Sequence, residues 1–281
     1  MFEPKRQPLW WLVVYRAGKE KSKTKRDYTP STPSGKKRFM VISMKKGLSL
    51  GDRMKLYEAS FKHYLPINIP AILRLDGRAF HTFTRGLDRP FDQRIIDMMD
   101  LVALELCPEI QGARLAYIQS DEISFLIYPG IFSDSWFNNN VQKIASVAAS
   151  HASCVAMKFC YDQEFKQGKY VGFDARIFSI PEKDVENYFI WRQKDWERNS
   201  LQMFTRAFYS HKELRNKKTP AMHEMLHAKG ENWNDLSTSL KRGRCVGKDG
   251  EGSWALDNEI PEFSKNREFI TRLIDEMNAE E

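Results

Sequence analysis

The sequence is short of cysteine. It holds only Cys107, Cys154, Cys160 and Cys245, with no CxxC pair and no zinc-finger spacing among them. That pattern excludes a disulfide scaffold or a structural zinc module, and free, buried thiols in a cytoplasmic protein are the simplest expectation. Long apolar runs are lacking too: no uninterrupted stretch approaches the roughly 18 to 20 residues that cross a bilayer, so no membrane partner is expected. Leu9 to Tyr15 (LWWLVVY) has the look of a short signal core, but Arg16-Ala-Gly-Lys-Glu after it is a poor cleavage site. Excess charge is absent from most of the chain. The 44 Lys+Arg and 37 Asp+Glu give +7. Residues before Met44 hold 11 basic and 3 acidic side chains, leaving 33 basic and 34 acidic for the rest. A basic, nucleic-acid-binding composition is therefore a property of the first 43 residues only. The remaining residues, about 240, suffice for one large or two modest cores. At 42% apolar and 12% aromatic overall, wholesale disorder is excluded.

The basic segment 1–43 includes Lys19 to Arg38 (KEKSKTKRDYTPSTPSGKKR), too poor in apolar residues to offset the entropy of ordering. A disordered extension is expected there. From Leu50 to Tyr64 the spacing of Met54, Tyr57, Phe61 and Tyr64 predicts an amphipathic helix closed by Pro66 and Pro70. Ala71 to Leu75 reads as a buried strand ending at Asp76-Gly77. Arg94 to Leu106 reads as a helix, and Ala113 to Gln119 and Ile123 to Tyr128 as strands joined by Ser120-Asp121-Glu122. Trp136 to Phe159 reads as a long helix with a stripe of Val141, Ile144, Ala145, Ala148, Ala152, Val155 and Phe159. Phe173 to Ser179 reads as a strand, and Glu182 to Phe208 as largely helical, with Tyr188, Ile190, Trp191 and Leu201 available for burial. The order is β-α-β-β-α-β, an α+β, ferredoxin-like arrangement. Residues 44–215 would form this catalytic-type core, and 216–281 a polar segment completing the fold, with a flexible distal tail.

The chemistry centres on acids at strand ends. If the first strand lies beside the hairpin, Asp76 and Asp121 converge on one sheet edge. Converging carboxylates require a cation or a bound proton. Oxygen ligands of this kind suit Mg²⁺, which takes the rest of its shell from water and substrate phosphates, and two such ions form the clamp of polymerases. Aspartate also commonly terminates strands with no metal at all, so spacing alone leaves both readings open.

Several blocks carry a resemblance: Leu75-Asp-Gly-Arg-Ala-Phe-His-Thr-Phe83, Arg89-Pro-Phe-Asp92, Tyr117-Ile-Gln-Ser-Asp-Glu-Ile-Ser-Phe125, Gly172-Phe-Asp-Ala-Arg176 and Trp191-Arg-Gln193. In this order they resemble the signature of the tRNA-His guanylyltransferase family, over about Leu50 to Val246. Gly230-Glu-Asn-Trp-Asn-Asp-Leu236 and Lys241-Arg-Gly243 are similar to its bacterial, archaeal and phage branch of 3′-to-5′ polymerases. The resemblance implies a polymerase palm-type core that activates an RNA 5′-monophosphate with a nucleoside triphosphate, usually ATP. The 3′-hydroxyl of an incoming nucleotide, usually GTP, then attacks the activated end. It implies Asp76, Asp121 and the Gly77 carbonyl as ligands of two Mg²⁺ ions, with Glu122 either supplementing the site or standing behind it. Gly77, Arg78, Ala79, Phe80 and His81 would approach the nucleotide phosphates, glycine removing a side chain that blocks contact and His81 acting as a donor. Arg89 stands where many relatives have Lys, exchanging a point charge for a bidentate fork. Asp92 would orient that cation, Ser120 would bond the nucleotide, and Lys143 would meet the triphosphate or merely face solvent.

The family usually forms tetramers, so a homo-oligomer is expected. One block departs. Eukaryotic members carry His-Ile-Asn-Asn-Leu-Tyr-Asn-Thr where this chain reads Glu197-Arg-Asn-Ser-Leu-Gln-Met-Phe204, which fits templated repair of RNA 5′ ends better than strict single-guanosine addition. Two alternatives use the same fold: a non-catalytic RNA-binding module, which would stack bases on sheet aromatics, and a palm-type nucleotide cyclase.

Overall fold

In the computed structural model, residues 48–128 and 135–279 are described, with side chains through residue 273. The extension 1–43 lies outside them. The described chain runs through helix α1 (Leu50–Ala59), strand β1 (Ala71–Gly77), the single turn α2 (Phe80–Phe83), α3 (Gln93–Leu106), β2 (Ala113–Gln119), β3 (Glu122–Ile127), α4 (Val141–Asp162), β4 (Phe173–Ser179) and α5 (Val185–Arg206). Then follow α6 (His211–Leu214), α7 (Thr219–His227), α8 (Thr238–Arg242), β5 (Arg244–Lys248), β6 (Trp254–Asp257) and α9 (Glu268–Ala279).

The strands form one antiparallel sheet in the order β4-β1-β3-β2-β5-β6. Its first four strands have the 4-1-3-2 order of a ferredoxin-like palm. Strands buried on both faces carry apolar residues at nearly every position, as in β2 and β3, where only one residue of each is not fully buried. On one face Leu73, Leu75, Ile123 and Phe125 pack with Met98, Met99 and Val102 of α3 and Ile144, Ala148 and Ala152 of α4. On the other, Ile72, Tyr117 and Leu126 pack with Val185, Tyr188 and Phe189 of α5 and with Phe263. The alternation along β1 thus sends Leu73 and Leu75 toward α3 and α4, and Asp76 toward α5.

Several sequence expectations change here. The first helix ends at Ala59 rather than Tyr64, and Met54, Tyr57, Phe61 and Tyr64 are exposed instead of packed. Helical periodicity reports an apolar face, not what covers it. The long helix starts at Val141, after Phe137 and Asn138 take positive φ, with the Asn140 side chain accepting the Lys143 N–H at 3.0 Å. Its buried row is Ile144, Ala148, Ala152, Ala156 and Cys160, and Val141, Val155 and Phe159 of the expected stripe are half-buried against the same core. Trp191 is 54% exposed. Three cysteines are buried, but Cys154 is exposed. In the segment after Pro220, β5 extends the sheet beside β2. Its entry requires Gly243 at φ +85, where a Cβ would lie 2.6 Å from the Ile118 carbonyl oxygen and 2.8 Å from the Tyr117 ring.

Candidate active site

Asp76 lies opposite Glu122 of β3 on one side and opposite Asp174 of β4 on the other. Opposed residues on neighbouring strands share a face, so three carboxylates stand in a row beneath α5. Like charges directly opposed destabilise a sheet, and two arginines offset them. Arg192 of α5 donates from Nε to Glu122 Oε1 and from Nη2 to Oε2, both at 2.7 Å. Gln119 and Ser124 also donate to Oε1, at 3.0 and 3.3 Å. Arg176 lies 3.3 Å from Asp174 and 3.6 Å from Asp76.

Asp121 occupies the β2–β3 turn, which Ser120 makes by adopting φ 48. The Gly77 N–H donates to the Asp121 carbonyl at 2.9 Å, fastening the end of β1 to this turn. Burial, then the charges of Asp76 and Glu122, push the Asp121 carboxyl above its usual range, against hydrogen bonds from its own N–H and the Ser120 hydroxyl. Arg176 and Arg192 thus pair with Asp76, Asp174, Glu122 and Asp195 in this corner, while Asp121 has no ion pair among the described residues and shares a cavity wall with Arg206.

Two cavities meet there. The larger, about 570 Å³, runs from Ser120 and Asp121 past Phe80 and His81 to Arg89, Asp92 and Arg244. The smaller, about 290 Å³, holds Asp76, Asp121 and Glu122 beneath Arg192 and Asn199. Ser120, Asp121, Trp196, Met203 and Arg206 line both. The larger is of a size that holds a small ligand such as a nucleotide.

Among the described residues no three His, Cys, Asp or Glu side chains are grouped to hold a metal by themselves. The donors present instead fit Mg²⁺. Glu122 is spent on Arg192, leaving Asp76, Asp121 and the Gly77 carbonyl as hard oxygen donors, with room for water and phosphate. The surplus of negative charge and the raised Asp121 carboxyl favour a cation.

A family model described as tRNAHis guanylyltransferase matches residues 51–181. A solved bacterial tRNA(His) guanylyltransferase-like protein in complex with ATP is 41% identical, with TM-score 0.77, over 80% of this chain and 98% of that one. The chain belongs to the tRNA(His) guanylyltransferase family. A bacterial family structure in complex with GTP has TM-score 0.71 and 38% identity over 80% of this chain and 99% of that one. An uncharacterized protein of Acanthamoeba polyphaga mimivirus is 30% identical over 188 residues, 57% of this chain and 63% of that protein. The chain thus spans just under two thirds of the length of this curated relative.

Within the guanylyltransferase framework, Asp76, Ser120, Asp121, Phe80, His81, Arg89 and Asp92 all face one or other of the two cavities. Gly77, Arg78 and Ala79 connect Asp76 to α2, with Ala79 at φ 55 and the Arg78 N–H held by the Gly172 carbonyl at 2.8 Å. The glycine has a reason beyond phosphate access: a Cβ on Gly77 would lie 2.3 Å from the Phe80 ring. Asp92 does not orient Arg89. It caps α3 by accepting the Arg94 N–H at 3.0 Å and grips the Arg94 guanidinium at 2.9 and 2.5 Å; that cation holds its carboxyl below the usual range. His81 contacts the Thr82 hydroxyl at 3.0 Å. Lys143 lies over the Phe137 ring, 4.4 Å from its centre, and lines neither cavity.

Sequence reasoning missed the α5 wall: Arg192, Trp196, Asn199, Met203 and Arg206. Their spacing of four, three, four and three residues is a helical stripe visible in the sequence, but its mixed polarity hid it from a search for apolar periodicity. It also missed Arg244, 2% exposed, whose Nε donates to Asp100 Oδ1 at 2.5 Å while Nη2 has no partner among the described residues.

Proposed function

We propose that the protein is a Mg²⁺-dependent nucleotidyltransferase that extends the 5′ end of tRNA in the 3′-to-5′ direction, with GTP preferred as the added nucleotide. The carrying observation is that Asp76 and Asp121 line one cavity together and that Asp121 also lines the larger cavity beside it, with the Asp121 carboxyl raised by burial and by its acidic neighbours. When bound, two Mg²⁺ ions would lower the pKa of the attacking hydroxyl and neutralise the leaving phosphate. Asp76, Asp121 and the Gly77 carbonyl would hold them.

The activation step joins an RNA 5′-phosphate oxygen to the α-phosphorus of ATP and releases pyrophosphate. In the addition step the 3′-oxygen of GTP loses its proton, bonds the RNA 5′-phosphorus and releases AMP. The chain's own part is positioning. Arg192 fixes Glu122 and hence the floor beside Asp76; Ser120 holds Asp121; His81 and Arg89 line the larger cavity, where triphosphate oxygens would need donors. Complexes of bacterial family members with ATP and GTP support both nucleotides as substrates.

A repair role, rebuilding truncated 5′ ends against a template, is supported by the α5 wall. Asn199, Gln202 and Met203 face the smaller cavity and lie within Glu197–Phe204, the block in which this chain departs from the eukaryotic pattern. Homo-oligomerisation is part of the proposal. The exposed Met54, Tyr57, Phe61 and Tyr64 form an apolar surface of the kind a second copy covers, and light scattering coupled to size exclusion would measure the assembly.

The test incubates the protein with 5′-truncated tRNA, ATP, labelled GTP and Mg²⁺. Extended RNA should form, and Asp76→Ala and Asp121→Ala should each abolish it. No extension by the wild type, or extension that survives Asp76→Ala, would sink the proposal. Cyclic nucleotide made from GTP alone would favour the cyclase, and equal RNA binding in EDTA with indifference to GTP would favour a binding module.

A further inference from the structure

A third cavity, of about 310 Å³, adjoins the site where α5 ends and the α6–α7 connection begins. Arg206, His211, Arg215 and Lys217 line it with the amides of Gln202 and Asn216, and no carboxylate does. Arg206, Arg215 and Lys217 have no ion-pair or side-chain hydrogen-bond partner among the described residues. Glu213, the one acid in this stretch, is engaged by the Ser210 N–H at 2.8 Å and the Ser210 hydroxyl at 2.6 Å. Three permanent positive charges around a concavity repel one another unless an anion joins them, and guanidinium forks match phosphate oxygens.

The cavity shares a wall with the acidic site. Gln202 lines both it and the cavity of Asp76, and Arg206 lines all three. Its cations also continue past its rim: Lys212 and Lys218 are exposed in the same eight-residue stretch, His211 to Lys218. A small anion needs one seat. A strip of cations leading away from that seat matches a polymer with repeated phosphates.

We propose that this cavity seats backbone phosphates of the RNA strand whose 5′ end reaches Asp121, with Arg206 spanning from the reacting end to the seated strand. The inference rests on the RNA 5′-end reading given above and adds the route by which the strand leaves the site. The proposed function assigns the nucleotide to the 570 Å³ cavity, and the strip of cations, rather than a single seat, assigns the third cavity to RNA.

The test is the double variant Arg215→Gln/Lys217→Gln in the full chain. Both residues are exposed, so the fold should survive, and circular dichroism checks it. Affinity for a 5′-monophosphorylated, 5′-truncated tRNA is measured by fluorescence anisotropy across a salt series. Affinities for GTP and ATP are measured by calorimetry. The RNA affinity should fall by about tenfold or more and the slope of log K against log salt should shrink by about 1 to 2, near 0.9 for each lost duplex phosphate contact. GTP and ATP affinities should stay within about twofold of wild type, well short of the change expected for a lost charge-assisted contact. Arg215→Glu should weaken RNA binding further. Unchanged RNA affinity and slope would overturn the proposal, as would weakened nucleotide binding with RNA binding retained. A wild-type protein that binds the RNA without extending it would refute the enzymatic reading and leave the seat standing. An active wild type with an unaffected double variant would refute the seat alone.

Discussion

Arg192 holds Glu122 through two parallel hydrogen bonds, Nε to Oε1 and Nη2 to Oε2, each 2.7 Å long. Both Glu122 oxygens are thereby engaged by α5, and Glu122 lies directly opposite Asp76 on the neighbouring strand. Arg192→Met should cost about 3 to 5 kcal/mol, because it strands a largely buried carboxylate. Glu122→Gln keeps the shape and should cost less. Urea denaturation of both variants orders them. If Glu122 supports and does not ligate, the Mg²⁺ concentration for half-maximal activity in Glu122→Gln stays near wild type while kcat falls. A shift of that midpoint by tenfold or more would make Glu122 a ligand.

Gly77 is enclosed by the Phe80 ring, with less room than a methyl group needs. Gly77→Ala should push α2 away from β1 and cost about 1 to 3 kcal/mol by overpacking. Since α2 carries Phe80 and His81 into the larger cavity, activity at a temperature where the variant stays folded should fall well beyond that loss of stability. Thermal denaturation and initial rates on one preparation separate the two effects.

Asp92 links stability to pH. Its folded-state carboxyl is depressed by the Arg94 hydrogen bonds, which outweigh burial. Its contribution is therefore full above the unfolded value of about 3.9 and is lost as pH falls through the lower folded value. Asp92→Asn should lose about 1 kcal/mol near neutrality, as expected for a weakened cap and a lost ion pair. The difference from wild type should shrink toward pH 3 and below. Denaturation midpoints at pH 7, 4 and 3 measure it, and a gap that widens in acid would contradict the assignment.

Asp100 and Arg244 form a buried pair at the larger cavity, with burial pushing the Asp100 carboxyl up and the guanidinium pulling it down. Arg244→Met should destabilise by about 3 to 5 kcal/mol. Adding Asp100→Leu should restore much of that, since two apolar replacements leave nothing unpaired. Chemical denaturation of the two single variants and the double variant gives the coupling, and simple additivity would remove the pair's importance.

The sequence showed the acids and the four palm strands because both are local signals. β1 is a run of apolar residues stopped by Asp76-Gly77, and the β2–β3 hairpin is two such runs around Asp121. The α5 wall was hidden for a physical reason: a site-facing stripe of Arg192, Trp196, Asn199, Met203 and Arg206 has no common polarity. β5 was hidden because five residues, Arg-Cys-Val-Gly-Lys, carry charge at both ends and owe their strand conformation to β2. The α1 stripe was legible as a stripe, yet the same spacing serves a core or a free surface, and it is exposed.

Asp121 and Arg206 each belong to the walls of both main chambers, and this ties the occupants of the two chambers to one another. Whatever a molecule in the larger chamber does to the field or position of these two side chains is felt by a molecule in the smaller one. Thermodynamic linkage requires the effect to be equal in both directions: if filling the first chamber tightens the second tenfold, filling the second tightens the first tenfold. The shared wall thus supplies a physical route for a coupling different from one, and the affinity product is the same whichever chamber fills first.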